Sequence, residues 1–306
     1  MCSFVGFLAI SLVRAINLLL ACVSSWIVTL PVVSFSLGAL SYFYDVSAIN
    51  NDIVFLSLVS LVTFGPAIIS FFIFPIGNWI MDHQLGCRRP SKRESDLLNQ
   101  IRTTLLAASK KNNIRLPNII FRIQDTRETN AYAYGSNRVA FTTGMLREYA
   151  KTENQIELLA AVAAHEIGHH KNGDCAFWAF GNYVLFPYKA SIYILNMLFS
   201  WLPLISYVNL AFINLINIPV HVANFLDRSI SQFVEYRADN VAARLLGAKH
   251  FADVLNSFAM ADEWSGGGVL ASMQRSHPAS ELRRDKVLKD FPPAPSSDGL
   301  AAQTVQ

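Results

Sequence analysis

The sequence carries, inside a helix-forming run, Ala164-His165-Glu166-Ile167-Gly168-His169-His170. An α-helix turns about 100° per residue, so His165 and His169 lie about 40° apart on one face. Two imidazoles placed in this way can bind one Zn²⁺, and Glu166 beside them can take a proton from water at the metal. Chance would produce His-Glu-x-x-His roughly 0.005 times in a chain of this composition, so we predict a zinc site.

The composition is typical of a membrane protein. Hydrophobic residues make up 52% of the 306 positions, charged residues make up 15%, and the mean hydropathy is +0.32. Asp, Glu, Lys and Arg are absent from residues 15–44 and 53–81, and about 20 apolar residues suffice to cross a bilayer. A cleaved signal peptide would have a basic start and a short apolar core, whereas residues 1–4 are uncharged. We therefore predict two retained transmembrane helices.

A third apolar region covers residues 175–226, where Lys189 and His221 are the only interruptions. This region predicts a third and a fourth membrane segment arranged as a hairpin around Pro203. Ionisable residues inside a membrane need a partner or water, so a hairpin that dips into the bilayer without crossing it stays open as an alternative.

The basic residues predict the orientation. Arg14 precedes the first apolar run and residues 88–93 form a basic cluster after the second, whereas the connection at residues 45–52 has no Lys or Arg. The positive-inside rule then places the N-terminus, the His-Glu-x-x-His motif and the C-terminal part in the cytoplasm. The net charge is only +3, and the basic cluster lies beside a predicted span. We therefore expect contact with anionic lipid headgroups rather than with nucleic acid.

The cysteines indicate neither a disulfide framework nor a thiolate metal site. The sequence has four, far apart and without Cys-x-x-Cys: Cys2, Cys22, Cys87 and Cys175. We expect free thiols that face lipid or reducing cytoplasm.

The chain after the second apolar run predicts a mostly helical domain with a small sheet. Apolar periodicity predicts helices over residues 94–111, 229–246, 249–264 and 276–289. A capping box at residues 152–155 is expected to open the motif helix, which should end before Gly173. Alternating and β-branched residues predict strands at 118–123, 131–134 and 138–142, with a turn at 135–137. Residues 266–268 predict a flexible joint, and the residues beyond 291 a disordered tail.

Two histidines leave a zinc enzyme one protein ligand short, with the remaining position open to water. The acidic and imidazole candidates are Asp174, His221, Asp227 and Glu235. Asp174 follows His169 by five residues and is expected to cap the next element instead. Glu235 and Asp239 share a helix face at i, i+4, so Glu235 could bind the metal while Asp239 accepts the second N–H of a ligand histidine. A solvated acidic face explains the same spacing, and the residues alone leave both interpretations open.

The chain resembles the HtpX-type membrane-bound zinc metalloproteases, the group that also includes the CAAX prenyl proteases. The matching segments are, in order, Asn130–Gly135, Thr143–Leu146, His165–His169 with Asn172–Asp174, Glu235–Asp239, and Ser276–Pro278 with Arg283. Their order and spacing agree over roughly residues 80–290, and the apolar runs before them agree in hydropathy.

The resemblance implies an α+β, zincin-like (gluzincin) fold, in which a mostly helical catalytic domain with a small β-sheet is attached to transmembrane helices. It implies one Zn²⁺ per chain, held by His165, His169 and Glu235, with Glu166 as general base. It also makes His277 a candidate at the oxyanion of the reaction, with Arg283 supporting it or closing the site. An ordinary helix start is the alternative interpretation of His277 and the proline after it.

The resemblance also implies a division of the chain. The parts are two transmembrane helices at 1–82, a first catalytic part at 83–174, the apolar hairpin at 175–226, a second catalytic part at 227–291 and a disordered tail at 292–306. Asn130, Ala131 and Tyr132 are expected to form an edge along which a polypeptide substrate lies extended. His170 points about 100° away from His169, so we interpret it as a solvated side chain.

The implied function is a membrane-integrated zinc endopeptidase that hydrolyses membrane or misfolded proteins at the cytoplasmic face of a bacterial inner membrane. Its partners would be polypeptide substrates and the lipid bilayer. A prenyl-peptide protease of the CAAX type is one alternative, which the small number of apolar segments disfavours. A zinc-binding membrane scaffold without catalysis is the other, which the presence of Glu166 disfavours.

Overall fold

Two long apolar helices begin the chain. The computed structural model describes residues 4–44, 51–199, 201, 203–264 and 280–292. Helix α1 (Phe4–Ser41) and helix α2 (Asp52–Phe72) each contain one proline, at Pro31 and Pro66. Among the described residues, these two helices are each long and apolar enough to cross a membrane. Many of their large apolar side chains are exposed, as lipid-facing side chains would be.

The apolar region after the motif folds into three shorter helices, α7 (Asp174–Val184), α8 (Phe186–Phe199) and α9 (Pro203–Ile216). Helix α10 (Ile218–Leu246) then runs for 29 residues and crosses the predicted boundary between residues 226 and 227 without a break. Residues 205–216 and α10 meet at a bend of 46°, and together they are long and apolar enough for either one broken span or a re-entrant loop. The two further membrane segments stay a prediction, as does the division of the chain into five parts.

A four-stranded sheet follows α3 (Phe74–Gln84) in the first part of the globular domain. Its strands are β1 (Cys87–Arg88), β2 (Ile120–Gln124), β3 (Ala131–Tyr134) and β4 (Arg138–Thr142), in the order β1-β2-β4-β3. Strands β2 and β4 are parallel, and the other pairs are antiparallel. Strand β3 therefore forms one edge of the sheet.

The turn between β3 and β4 requires glycine. Gly135 has a φ of 59°, in the left-handed region that other residues rarely adopt. A Cβ atom there would also lie 2.3 Å from the side-chain oxygen of Asn78. Asn78 in turn accepts a hydrogen bond from the backbone N–H of Ser136, so α3 holds the turn in place.

The helices that share one core with the sheet are α4 (Lys92–Lys111), α5 (Thr143–Tyr149), α6 (Gln155–Lys171), α11 (Ala248–Trp264) and α12 (Ser280–Asp290). Their buried faces join those of β2 and β4 in one core, which includes Ile101, Phe141, Leu159 and Leu255. The predicted fold class is confirmed: a mostly helical domain with a small mixed sheet, preceded by apolar helices.

The capping box lies at a different helix from the one predicted. Helix α6 begins at Gln155 after Asn154, which makes no side-chain cap bond, while Thr152 donates its hydroxyl to the Tyr149 carbonyl. The prediction at residues 152–155 was therefore wrong. A complete capping box instead opens α4, where Ser91 and Glu94 satisfy each other's backbone N–H groups.

The thiols lie in different surroundings from those expected. Cys22 and Cys87 are half-buried free thiols, but Cys175 is buried in the protein interior and faces neither lipid nor solvent. The predicted joint at residues 266–268, the predicted tail beyond residue 292, Cys2 and His277 lie outside the described residues.

Candidate active site

Three predicted metal ligands converge at the crossing of α6 and α10. The ligand atoms of His165, His169 and Glu235 all lie within 4.8 Å of one another, and all three residues are buried. The Nε2 atom of His165 is 3.1 Å from one Glu235 oxygen, and the Nε2 atom of His169 is 3.6 Å from the other. The α6 face predicted from residue spacing thus meets a carboxylate that lies 66 positions beyond His169 in the sequence.

The other ring nitrogen of each histidine faces a carboxylate. The Nδ1 atom of His165 is 2.8 Å from Asp239, and the Nδ1 atom of His169 is 3.0 Å from Asp174. With each Nδ1–H donated to a carboxylate, the lone pair of each Nε2 is left to bind a metal. The contact of Asp239 is the one that its spacing from Glu235 predicts.

Asp174 contacts the predicted metal ligand His169, which the sequence did not indicate. Gly173 has a φ of 75° and reverses the chain after α6, so Asp174 begins α7 and turns back towards the motif. Its buried side chain accepts a hydrogen bond from His169 instead of serving only to start a helix. The interpretation of Asp174 as a cap alone was wrong, because the left-handed turn at Gly173 changes where the next side chain points.

Arg14 connects the first apolar helix to this site. Its guanidinium forms an ion pair with the fully buried Asp174, which also contacts His169. The same guanidinium lies over the ring of Phe177, 5.3 Å from its centre. Sequence reasoning used Arg14 only to predict orientation, since no local pattern links residues 160 positions apart.

Arg283 anchors the carboxylate beneath the metal ligands. It donates two hydrogen bonds to Asp239, of 2.5 and 2.8 Å, and its Nη2 lies 3.1 Å from the Nδ1 of His165. Burial alone would raise the pKa of Asp239, but the Arg283 charge and hydrogen bonds outweigh it and lower this pKa to about 2. Asp239 is therefore ionised at neutral pH and accepts hydrogen bonds only. This contact of Arg283 was not predicted.

Glu166 lies between the motif helix and the edge strand. It is 4% exposed, and its Oε2 accepts a 2.7 Å hydrogen bond from the backbone N–H of Ala133 in β3. A cleft of about 380 Å³ opens beside it. Asn130, Ala131, Tyr132 and Ala133 line one part of this cleft, and the cleft reaches His169 and Glu235. The predicted substrate edge and the predicted ligands thus border the same space.

The donor set fits a zinc ion. Zinc sites in hydrolases combine histidine nitrogens with a carboxylate oxygen and keep one position open. His165, His169 and Glu235 supply such a set, and the adjoining cleft gives substrate and water access to the open position.

His170 was predicted to be a solvated side chain, but it is hydrogen-bonded to the sheet. Its Nε2 lies 2.7 Å from the backbone carbonyl oxygen of Arg138 in β4, and burial lowers the pKa of this side chain. His170 therefore joins the motif helix to the sheet as a neutral donor. His170 does point away from His169, but β4 covers that side of the helix, and the spacing within one helix does not reveal this cover.

The crossing of α6 and α10 depends on Gly168. A Cβ atom at this position would lie 2.6 Å from the carbonyl oxygen of Ala238 and 2.8 Å from its Cα. We expect Gly168→Ala to push α10 away from α6, because both obstacles are backbone atoms. Overpacking of this kind costs about 1–3 kcal/mol. It would also move Glu235 away from the histidines, and we expect zinc affinity to fall at least tenfold.

The matched control is Gly181→Ala in α7, where a Cβ atom meets nothing within 4 Å. Both variants would be measured by thermal unfolding and by zinc competition with a fluorescent chelator. The control should match the wild type in both measurements. Unchanged zinc affinity and unfolding temperature in Gly168→Ala would show that the crossing tolerates a wider spacing.

Comparison with known proteins finds relatives over most of the chain. Residues 52–290 match peptidase family M48. The chain is 27% identical over 248 residues to Protease HtpX of Shewanella sp. (strain W3-18-1), covering 72% of this chain and 83% of that protein. It is 26% identical over 242 residues to Protease HtpX of Shewanella frigidimarina (strain NCIMB 400), covering 70% and 82%. The crystal structure of S. mikatae Ste24p aligns with 87% of this chain and 67% of its own, at 17% identity and a TM-score of 0.44. The predicted resemblance to HtpX-type proteases is confirmed.

Proposed function

We propose that this chain, which belongs to peptidase family M48, is a membrane-integrated zinc endopeptidase acting on unfolded or unassembled polypeptides. One observation carries the proposal. His165, His169 and Glu235 converge within 4.8 Å, and Glu166 lies on the same helix turn, hydrogen-bonded to the edge strand of the sheet. A scaffold that only binds zinc has no need of a carboxylate in this position.

The residues of the site have separate tasks in hydrolysis. His165, His169 and Glu235 would hold the zinc ion, which when bound polarises a carbonyl oxygen and lowers the pKa of water to about 7. The Glu166 carboxylate accepts the proton of the attacking water and passes it to the leaving amine. Asp239 and Asp174 keep the proton of each histidine on Nδ1 and so fix the ring orientation.

Strand β3 is suited to hold the substrate through its backbone. Alternate residues of an edge strand direct their N–H and C=O groups away from the sheet. Ala133 does so, since its N–H reaches Glu166, and by alternation the backbone groups of Ala131 also face the cleft. A peptide added along this edge would be recognised by its main chain, with little demand on its sequence. This property suits a protease of misfolded proteins.

The membrane arrangement supports a site close to the bilayer surface. Arg14 lies on an apolar helix and reaches Asp174 at the metal centre, so the first predicted span borders the site directly. By the positive-inside rule, the distribution of Lys and Arg favours the cytoplasmic side for this surface. We therefore propose protein quality control at the cytoplasmic face of a bacterial inner membrane as the role.

The test uses the full chain purified in detergent. We expect about one zinc per chain by mass spectrometry, and cleavage of casein that 1,10-phenanthroline stops and added Zn²⁺ restores. Cleavage that persists after complete removal of zinc would contradict a metal-dependent mechanism. Bound zinc without cleavage of casein or any other unfolded protein would support the scaffold instead.

A further inference from the structure

A second cavity, of about 410 Å³, lies beside α3 and shares no lining residue with the catalytic cleft. Three guanidinium groups face it, those of Arg89, Arg122 and Arg138, and we call it the arginine pocket. Among the residues that the structure describes, Asp82 is the one carboxylate that lines it. The remaining lining includes Trp79 and His83, whose rings stack 6.2 Å apart. The pocket therefore has an excess of positive charge that its own residues do not neutralise.

Arg138 is the most buried of these three arginines. It is 9% exposed, and its Nε and Nη1 atoms have no hydrogen-bond partner. The Asp82 carboxylate is 3.7 Å from Nε, too far for a hydrogen bond. Asp82 already accepts hydrogen bonds from Tyr134, at 2.6 Å, and from Arg122, at 3.0 Å. Burial and the neighbouring Arg122 charge lower the pKa of Arg138, and the Asp82 charge only partly opposes this shift.

The geometry suits a phosphate group. A buried guanidinium whose N–H groups make no hydrogen bonds is costly, so an anion that enters the pocket and accepts them would recover much of that cost. Guanidinium groups bind phosphate oxygens through paired hydrogen bonds, and several arginines can share one phosphate. A carboxylate of the protein could neutralise these arginines equally well. Among the described residues, however, Asp82 is the only carboxylate that lines the pocket, and it already accepts a hydrogen bond from Arg122.

The position of the pocket identifies a source of phosphate. Helix α3 follows α2, the second candidate span, after a single residue. Trp79 on α3 is 68% exposed, and tryptophan is enriched where a protein meets lipid headgroups. The cytoplasmic leaflet carries anionic lipids, which attract basic groups beside a span. We propose that the arginine pocket binds a phosphate group, presented by the headgroup of an anionic phospholipid.

The pocket is joined to the motif helix by the backbone of the same arginine. The carbonyl oxygen of Arg138 accepts the hydrogen bond of His170, one residue after the predicted ligand His169. In the β3–β4 register, Arg138 is paired with Tyr134 at the end of the edge strand. A phosphate held by Arg138 would thus fix β4 where it contacts α6.

The experiment uses full-length protein in a neutral detergent. Dioctanoyl phosphatidylglycerol is titrated by isothermal calorimetry into the wild type, Arg138→Gln and the control Arg115→Gln. Arg115 is exposed and does not line the arginine pocket. We expect at least tenfold weaker binding in Arg138→Gln and a change below twofold in the control. A titration with inorganic phosphate distinguishes the sources. If inorganic phosphate binds and displaces the lipid, the pocket also accepts a soluble phosphate. If inorganic phosphate does not bind, the pocket requires the lipid headgroup.

A second variant covers the possibility that Arg138→Gln destabilises the domain. Arg89 is exposed at the rim, so Arg89→Glu should fold normally and still weaken lipid binding by reversing one charge. Equal affinity of the wild type, Arg138→Gln and Arg89→Glu would overturn the proposal, as would the absence of saturable binding of either probe. These measurements need neither zinc nor peptidase activity, so their outcome is independent of the proposed function.

Discussion

Glu166→Gln is expected to abolish peptide hydrolysis while leaving the metal site intact. The amide keeps the volume of the side chain and can still accept the Ala133 N–H, but it cannot take a proton from water. General acid–base catalysis contributes about 10²–10⁴-fold, so we expect a loss of at least 100-fold in kcat. Casein cleavage and zinc content would be measured on the same preparation.

The control for this variant is Glu157→Gln. Glu157 lies on the same helix α6, is exposed and takes no part in the site, so its variant should cleave casein as the wild type does. A Glu166→Gln protein that holds zinc and keeps full activity would exclude Glu166 as the base. Loss of zinc together with activity would instead assign Glu166 to metal binding.

Glu235→Gln is expected to release the zinc. Glu235 supplies the only negative charge of the three-residue set, and its two oxygens lie 3.1 and 3.6 Å from the two histidine Nε2 atoms. Loss of a residue that merely supports a ligand weakens metal binding roughly 10–100-fold, and loss of a charged ligand should exceed this. We expect at least a 100-fold rise in the zinc dissociation constant, and casein cleavage only at high added zinc.

Glu281→Gln on α12 is the control, since Glu281 is exposed. Circular dichroism of both variants without metal would separate a lost ligand from a lost fold. Zinc affinity equal to that of the wild type in a folded Glu235→Gln protein would require a different third ligand.

The two variants test different parts of one arrangement. Glu166→Gln should give a protein that binds zinc without activity, and Glu235→Gln should give one whose activity returns as zinc is raised. If both lost zinc equally, the site would be a single cooperative network in which the two carboxylates cannot be assigned separate roles.

The sequence predicted the local elements well where the periodicity was strong. The motif helix and the edge strand at residues 131–134 were predicted close to their observed positions. Two long apolar helices were also predicted, but α1 begins 11 residues before the first apolar run, and the second run is divided between α2 and α3. The boundaries were less accurate. Helix α10 begins 11 residues before the predicted start at residue 229. The prediction was late because the first part of this helix is apolar and was assigned to the membrane hairpin. The capping box was predicted at the wrong helix. The pattern of Thr152 and Gln155 shows that the two side chains could cap a helix, but it does not show that they do.

Glu235 shows the limit of reasoning from residues alone. Its spacing to Asp239 was compatible with a metal ligand and with a solvated acidic face, and only the family resemblance favoured the ligand. The structure places Glu235 beside both histidines, because Gly168 lets α10 approach α6 closely. The spacing within one helix is visible in the sequence, whereas the distance between two helices is not.

From the sequence alone we could predict the metal-binding histidines, the base beside them, the apolar helices and the helical class of the domain. These follow from the backbone geometry of a few consecutive residues, which fixes which side chains share a face. Three features became visible only in the folded chain: Arg14 reaches Asp174, Arg283 supports Asp239, and Arg138 is buried without a hydrogen-bond partner at Nε and Nη1. Each of these depends on how distant segments pack, and packing is set by the whole core rather than by any local pattern.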